Sequence, residues 1–233
     1  MISSHTRCAF GAISLCALVA AASQPATAHE GHVHKRAIAQ AQTGAASVAP
    51  PREPTLAEVR QATERFQDIK VALAEGYIRD PADLCETAEM MGRPAELGAM
   101  GVHYFRPDLL GITAPPNPRV NGTGTHTDFL KPAILIYEPQ AGGSLELVAV
   151  ENLVFRQSWH ASGSSAPPAF HGLAYDTMAD DLATAIDEAH NFEPHYDRHV
   201  WIYRTNPNGV FTPFNPKVSC QHHQGSGHHH TTR

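Results

Sequence analysis

The chain has 233 residues, 42% of them hydrophobic, with 17 Lys and Arg against 23 Asp and Glu and a net charge of −6 with histidine neutral. That length and apolar share suit one core and one main domain. The acidic balance argues against nucleic acid or an anionic membrane surface as a partner.

Residues 1–28 read as a cleavable export signal. Arg7 gives the positive start, and Cys8 to Ala22 form an apolar run too short and too rich in Ala and Ser to span a bilayer. Ala26 and Ala28 are the small residues a signal peptidase takes before its cut. Cleavage after Ala28 places the chain in the periplasm or outside the cell, with no membrane span left. Cys8 and Cys16 leave with the signal, and Cys85 and Cys220 remain. An even pair in an oxidising compartment predicts a disulfide, the other use being thiolate metal ligation.

Residues 29–54, rich in His, Ala, Gln and Pro, read as a linker. Thr55 with Glu58 has the spacing of a capping box. Leu56, Val59, Ala62, Phe66, Ile69, Leu73 and Tyr77 follow at three- and four-residue steps. They predict one long amphipathic helix of about 22 residues. After an irregular stretch over 80–98, Met100 to Phe105 reads as a strand. Residues 106–128, rich in Pro, Gly and Thr, read as a long loop of a kind that is often functional. Residues 133–151 read as a β-hairpin about a Gly-rich turn, 177–190 as a short helix, and His199 to Tyr203 as a strand. Asn206-Pro207-Asn208-Gly209 then turns the chain back into Val210-Phe211. The sum is an α+β fold: one long N-terminal helix packed on a mostly antiparallel sheet of about four or five strands. Residues 55–220 make this single domain, and 221–233 form a His-rich tail. Nothing in the chain specifies an oligomeric state.

Several phrases occur together in order: Ala74-Glu75-Gly76-Tyr77, Gly98-Ala99-Met100-Gly101-Val102-His103-Tyr104, Ile136-Tyr137-Glu138, Val148-Ala149-Val150-Glu151, His199-Val200-Trp201, Asn206-Pro207-Asn208-Gly209-Val210-Phe211 and Asn215-Pro216-Lys217-Val218-Ser219-Cys220. In this combination the chain resembles a family of secreted bacterial hypothetical proteins over about residues 66–220. The resemblance implies a single exported domain and brings no activity with it.

The 16 histidines are the chief chemical signal. One group is terminal: His29, His32 and His34 at the expected mature start, and His222 and His223 ahead of His228, His229 and His230. Neutral imidazole is a ligand that copper, zinc and nickel share, and His-rich tracts bind such ions without a folded cage. Solvated tails are the plainer reading. The other group lies in the domain. His103 and His199 on predicted strands, with Glu151 at the end of another, offer two imidazoles and a carboxylate, a three-ligand site with positions left open. Strand alternation puts His199, Trp201 and Tyr203 on one side and Glu151, Ala149 and Leu147 on one side, without saying whether the two coincide. His195 and His126 are substitutes for either histidine. His160, His171 and His190 read as surface groups.

No serine-nucleophile elbow, phosphate-binding glycine loop, His-Glu-x-x-His helix or Cys-x-x-Cys pair is present, so no nucleotide cofactor is expected. The leading expectation is an exported metal-binding protein for copper, zinc or nickel. A metal-dependent extracytoplasmic enzyme using His103, Glu151 and His199, with 106–128 over its substrate, is the second. A metal-free module holding a small molecule in a pocket of Tyr104, Trp201 and Tyr203 is the third.

Overall fold

The computed structural model describes residues 52–225. The expected export signal, most of the linker with His29, His32 and His34, and the tail from 226 onward lie outside the described residues. The elements are α1 (Leu56–Thr63), α2 (Ile69–Ala74), β1 (Ile78–Arg79), β2 (Cys85–Thr87), β3 (Ala99–Phe105), α3 (Pro107–Leu110), β4 (Ile134–Pro139), β5 (Leu145–Phe155), α4 (Arg156–Ala161), β6 (Ala169–Phe170), β7 (Leu173–Ala174), β8 (Asp176–Met178) and β9 (His195–Val200).

The expected fold is corrected on its main points. The sheet has seven strands, in the order β1-β3-β4-β5-β9-β8 with β2 also on β3, and every pairing is antiparallel. Among the described residues there is no long N-terminal helix. The Thr55–Glu58 capping box starts α1, which runs eight residues, tightens into a 3-10 turn at Glu64–Gln67 and stops. Asp68 is extended, and its side chain accepts from the Lys70 amide to start α2. The Tyr137 hydroxyl donates to the Phe66 carbonyl at 2.7 Å, so that carbonyl serves the sheet instead of a continuing helix. The break hides in the sequence because Phe66 and Ala72 still reach the same core. The expected helix over 177–190 is absent too: 176–178 is β8, and turns follow. The strand expected at His199 to Tyr203 starts four residues earlier and ends at Val200.

The sheet separates two cores. On one face α1, α2 and Tyr77 pack over Val102, Tyr104, Leu135, Tyr137, Val150, Val154, Tyr196 and Val200. On the other, Phe105, Ile134, Ile136, Ala149, Leu153, Phe155 and Trp201 pack under Leu110, Val120 and Phe192. The segment 106–128 therefore packs on this face through Leu110 and Val120, while its residues 113–118 are exposed. It is tied down where the Val120 amide donates to the Asn191 carbonyl and the Glu193 amide to the Val120 carbonyl, both at 2.8 Å.

A β-bulge decides which side chains share a face. Ile136 pairs with Ala149 but Tyr137 with Leu147, so Val148 is an extra residue in β5. Leu147 joins the helix-side core, whereas Val148 and Ala149 join the other. The simple alternation that put Leu147 with Glu151 is thereby corrected. Beyond the bulge, Ala149, Glu151, Leu153 and Phe155 alternate regularly against β9. Cys85 and Cys220 form the expected disulfide, with Cα atoms 5.6 Å apart. It ties β2 to the segment that follows β9. No described helix is long and apolar enough to cross a membrane.

Candidate metal centre

The strand registers bring the predicted residues together. Glu151 on β5 stands opposite His199 on β9, and Leu153 opposite Asp197. His103 on β3 stands opposite Ile136 on β4, which faces Ala149 on β5. His103, Glu151 and His199 thus converge beneath the loop-covered face, and each offers a ligand atom within 4.8 Å of the others. The Glu151 Oε2 lies 3.3 Å from His103 Nε2 and 3.5 Å from His199 Nε2. Two ligands at about 2.0–2.1 Å from a tetrahedral ion stand about 3.3–3.4 Å apart. Both separations therefore fit the edges of such a shell. The three side chains are nearly closed to solvent, at 7%, 2% and 0% exposure.

Four more ionisable groups surround them. Glu86 on β2 pairs opposite Gly101, two residues before His103, so it shares that residue's face. Its Oε2 lies 3.8 Å from His103 Nδ1 and its Oε1 3.4 Å from His190 Nδ1. His195 and Asp197 precede His199 on alternate positions of β9, and His195 Nε2 lies 3.9 Å from Asp197 Oδ2. All four are buried. His190, read as a surface group in the sequence, is the clearest correction. It sits in a turn where it and Asn191 both have positive φ, at 38° and 69°. Nothing in the local pattern marks such a turn, and its inward aim is set by long-range partners. Glu86 was missed because β2 is a three-residue strand between prolines.

These groups are poorly satisfied without an ion. Of the fifteen buried side-chain atoms without a hydrogen-bond partner among the described residues, nine belong to Glu86, Glu151, His190, His195, Asp197 and His199. The contacts between them, 3.3–3.9 Å long, exceed or misalign the usual N–H···O bond. Each orphaned buried polar group costs about 1–3 kcal/mol, so a cluster of nine is unusual unless something else occupies their lone pairs. Buried His and carboxylate groups of this kind can hold a metal ion.

The electrostatics show how the metal-free cluster shares its charge. Burial opposes ionisation of Glu86, but His190 and His103 outweigh it and hold the carboxyl at about 2. Burial likewise opposes charge on His103, yet Glu86 and Glu151 raise it to about 9. His190 is raised, against burial, by Glu86. Glu151 is lowered, against burial, by His199 and His103. Burial lowers His199 to about 4, and burial with the nearby His190 lowers His195 to about 3. Burial and the Glu151 charge push Asp197 well up. His103 and His190 are thus shifted toward their charged forms beside Glu86 and Glu151, His195 and His199 toward neutral rings, and Asp197 toward the protonated acid.

The other predicted site residues do not converge. Tyr104 lies in the helix-side core, edge-on to Tyr137, whereas Trp201 lies on the opposite face, stacked beside His199 with ring centroids 6.1 Å apart. Tyr203 bonds Thr63 and Arg60 near α1. The three aromatics do not line one pocket. A surface depression at Arg52, Glu58, Gln61 and Leu130 is lined by no residue of the cluster. His223 is used by the fold, its Nε2 lying 2.8 Å from the Asp83 carbonyl, and His222 is exposed. His126 and His160 bond backbone carbonyls of Lys131 and Ser164. Neither His126 nor His160 belongs to the cluster.

No protein-family model, curated protein or solved structure matches this chain.

Proposed function

We propose that this chain is an exported protein that binds a divalent transition-metal ion, held by His103, Glu151 and His199 in a closed site under its sheet. The observation that carries the proposal is the convergence of those three buried side chains at ligand-to-ligand spacing, with the Glu151 Oε2 and both His199 nitrogens lacking any hydrogen-bond partner. Zinc, copper and nickel all take imidazole and carboxylate, and the tetrahedral spacing favours zinc among them. Near-complete burial suits retention of an ion more than turnover of a substrate, which needs an open position. Export is supported by Arg7, the apolar run and the Ala26–Ala28 cleavage pattern. The Cys85–Cys220 disulfide is compatible with an oxidising compartment.

Elemental analysis of the full chain purified from periplasm tests the proposal. Wild type and a His222→Ala/His223→Ala variant should retain an ion through gel filtration in a weak chelator, and His199→Ala should lose it. Equal metal content in wild type and His199→Ala would refute the site.

A further inference from the structure

The mechanism of a single ion leaves a second group of ligands unexplained. His190, His195 and Asp197 each present a ligand atom within 4.8 Å of the others. Their exposures are 9%, 0% and 0%. Five of their atoms have no hydrogen-bond partner: both nitrogens of His190, the Nε2 of His195 and both oxygens of Asp197. The tautomer of His195 is fixed from behind. Its Nδ1 lies 3.0 Å from the Glu193 carbonyl, an acceptor only, so Nδ1 carries the proton and Nε2 presents a free lone pair toward Asp197. A backbone carbonyl orienting one ring nitrogen while the other faces the ion is the usual support of a metal-bound histidine.

The turn that delivers His190 is built to be held. Two consecutive non-glycine residues with positive φ persist only where the surroundings enforce them. Arg119 supplies that enforcement by pairing with both Asp180 and Asp187, while Asp187 accepts from the Asn191 amide at 2.9 Å. Around the group stand Phe192 and, beyond it, Phe105 and Phe155, which offer no polar partner. Glu86 connects the two groups, one oxygen facing His103 and the other facing His190.

We infer that His190, His195 and Asp197 hold a second divalent transition-metal ion, so that the buried cluster is a two-ion centre with Glu86 between its halves. Alternate positions on β9 place Asp197 about 6–7 Å along the strand from His199. The two ions therefore sit within one cluster, not in separate sites. This inference rests on the proposed function for its first ion and adds the second.

The test reloads the metal-stripped full chain with zinc and measures zinc per chain after gel filtration in a weak chelator. The tails are common to every variant, so differences from wild type report the cluster. His195→Gln and Asp197→Asn should each carry about one zinc fewer than wild type, and His199→Ala also about one fewer. If His195→Gln and Asp197→Asn match wild type while His199→Ala falls, the second ion is refuted and the first stands. If no variant falls, both are refuted. A readout free of mutations guards against a variant that fails to fold. In copper(II) titration of wild type, the electron paramagnetic resonance signal of the first equivalent should broaden and weaken as the second enters. A signal that grows in proportion to added copper, with no coupling, overturns the inference.

Discussion

At the residue scale the site turns on protons. His103 is raised to about 9 and Asp197 is pushed well above the usual carboxylate range, so an ion at either group competes with a proton, because only neutral imidazole and ionised carboxylate ligate. The sign of the pH dependence follows. His103 rises from 6.5 to about 9 on folding, so its contribution is full below 6.5 and is lost as pH rises through about 9. His195 and His199 fall to about 3 and about 4, so they lower stability once the unfolded rings take protons below about 6.5. The metal-free chain should be most stable near pH 6.5, and the melting-point gain from zinc should grow between about pH 6 and about pH 8. Calorimetric scans with and without zinc across that range check both; a gain that shrinks with rising pH contradicts the ligand assignment. His103, Glu151 and His199 were legible in the sequence because each sits at a strand position where alternation narrows the choice of face. Their convergence was not, since it depends on which strands neighbour and on the extra residue Val148. His190 was not legible at all: the turn that carries it is held by Arg119, whose partner Asp187 lies 68 residues further along the chain.

At the element scale two devices act on opposite faces of the sheet. The first is the clamp from Arg119 onto Asp180 and Asp187. Arg119→Ala should free the turn carrying His190 and lower affinity for the second ion by about 10–100-fold, the usual cost of losing an orienting partner, with the first ion retained. Zinc isotherms of wild type and variant would show this as loss of the weaker or tighter phase alone; loss of both phases together would contradict the separate roles. The second is the N-terminal helix, which touches only the opposite face. Thr55→Ala removes its capping box and should cost about 1 kcal/mol of stability with metal content unchanged. Denaturant melts paired with metal analysis check that separation of faces. The capping box and the β4–β5 hairpin were readable from local chemistry. The helix break at Asp68 was not, because the apolar spacing runs through it unbroken while a distant tyrosine takes the carbonyl that would have continued the helix.

At the scale of the whole molecule, the described fold is an antiparallel sheet with an apolar core on one face and an ionisable cluster within the core on the other. The disulfide links these layers. Cys85 packs in the helix-side core while its neighbour Glu86 points into the cluster, and Cys220 is bonded to Cys85 there. Cys220→Ser should cost about 2–5 kcal/mol and speed metal release, because β2 then holds Glu86 by a three-residue ladder alone. Chelator-competition kinetics with and without the substitution would read this, and an unchanged release rate would dissociate the bridge from the cluster. The cysteine pair was readable because only two remain after the expected signal. The depth of the cluster was not, since Asp, Glu and His side chains in number are seldom buried in a core.

The most direct measurement is anomalous X-ray diffraction from crystals of the full chain grown with zinc, collected on both sides of the zinc edge. An anomalous peak is expected between His103 Nε2, Glu151 Oε2 and His199 Nε2. Density confined to surface imidazoles such as His222, with none among those three buried side chains, would contradict it.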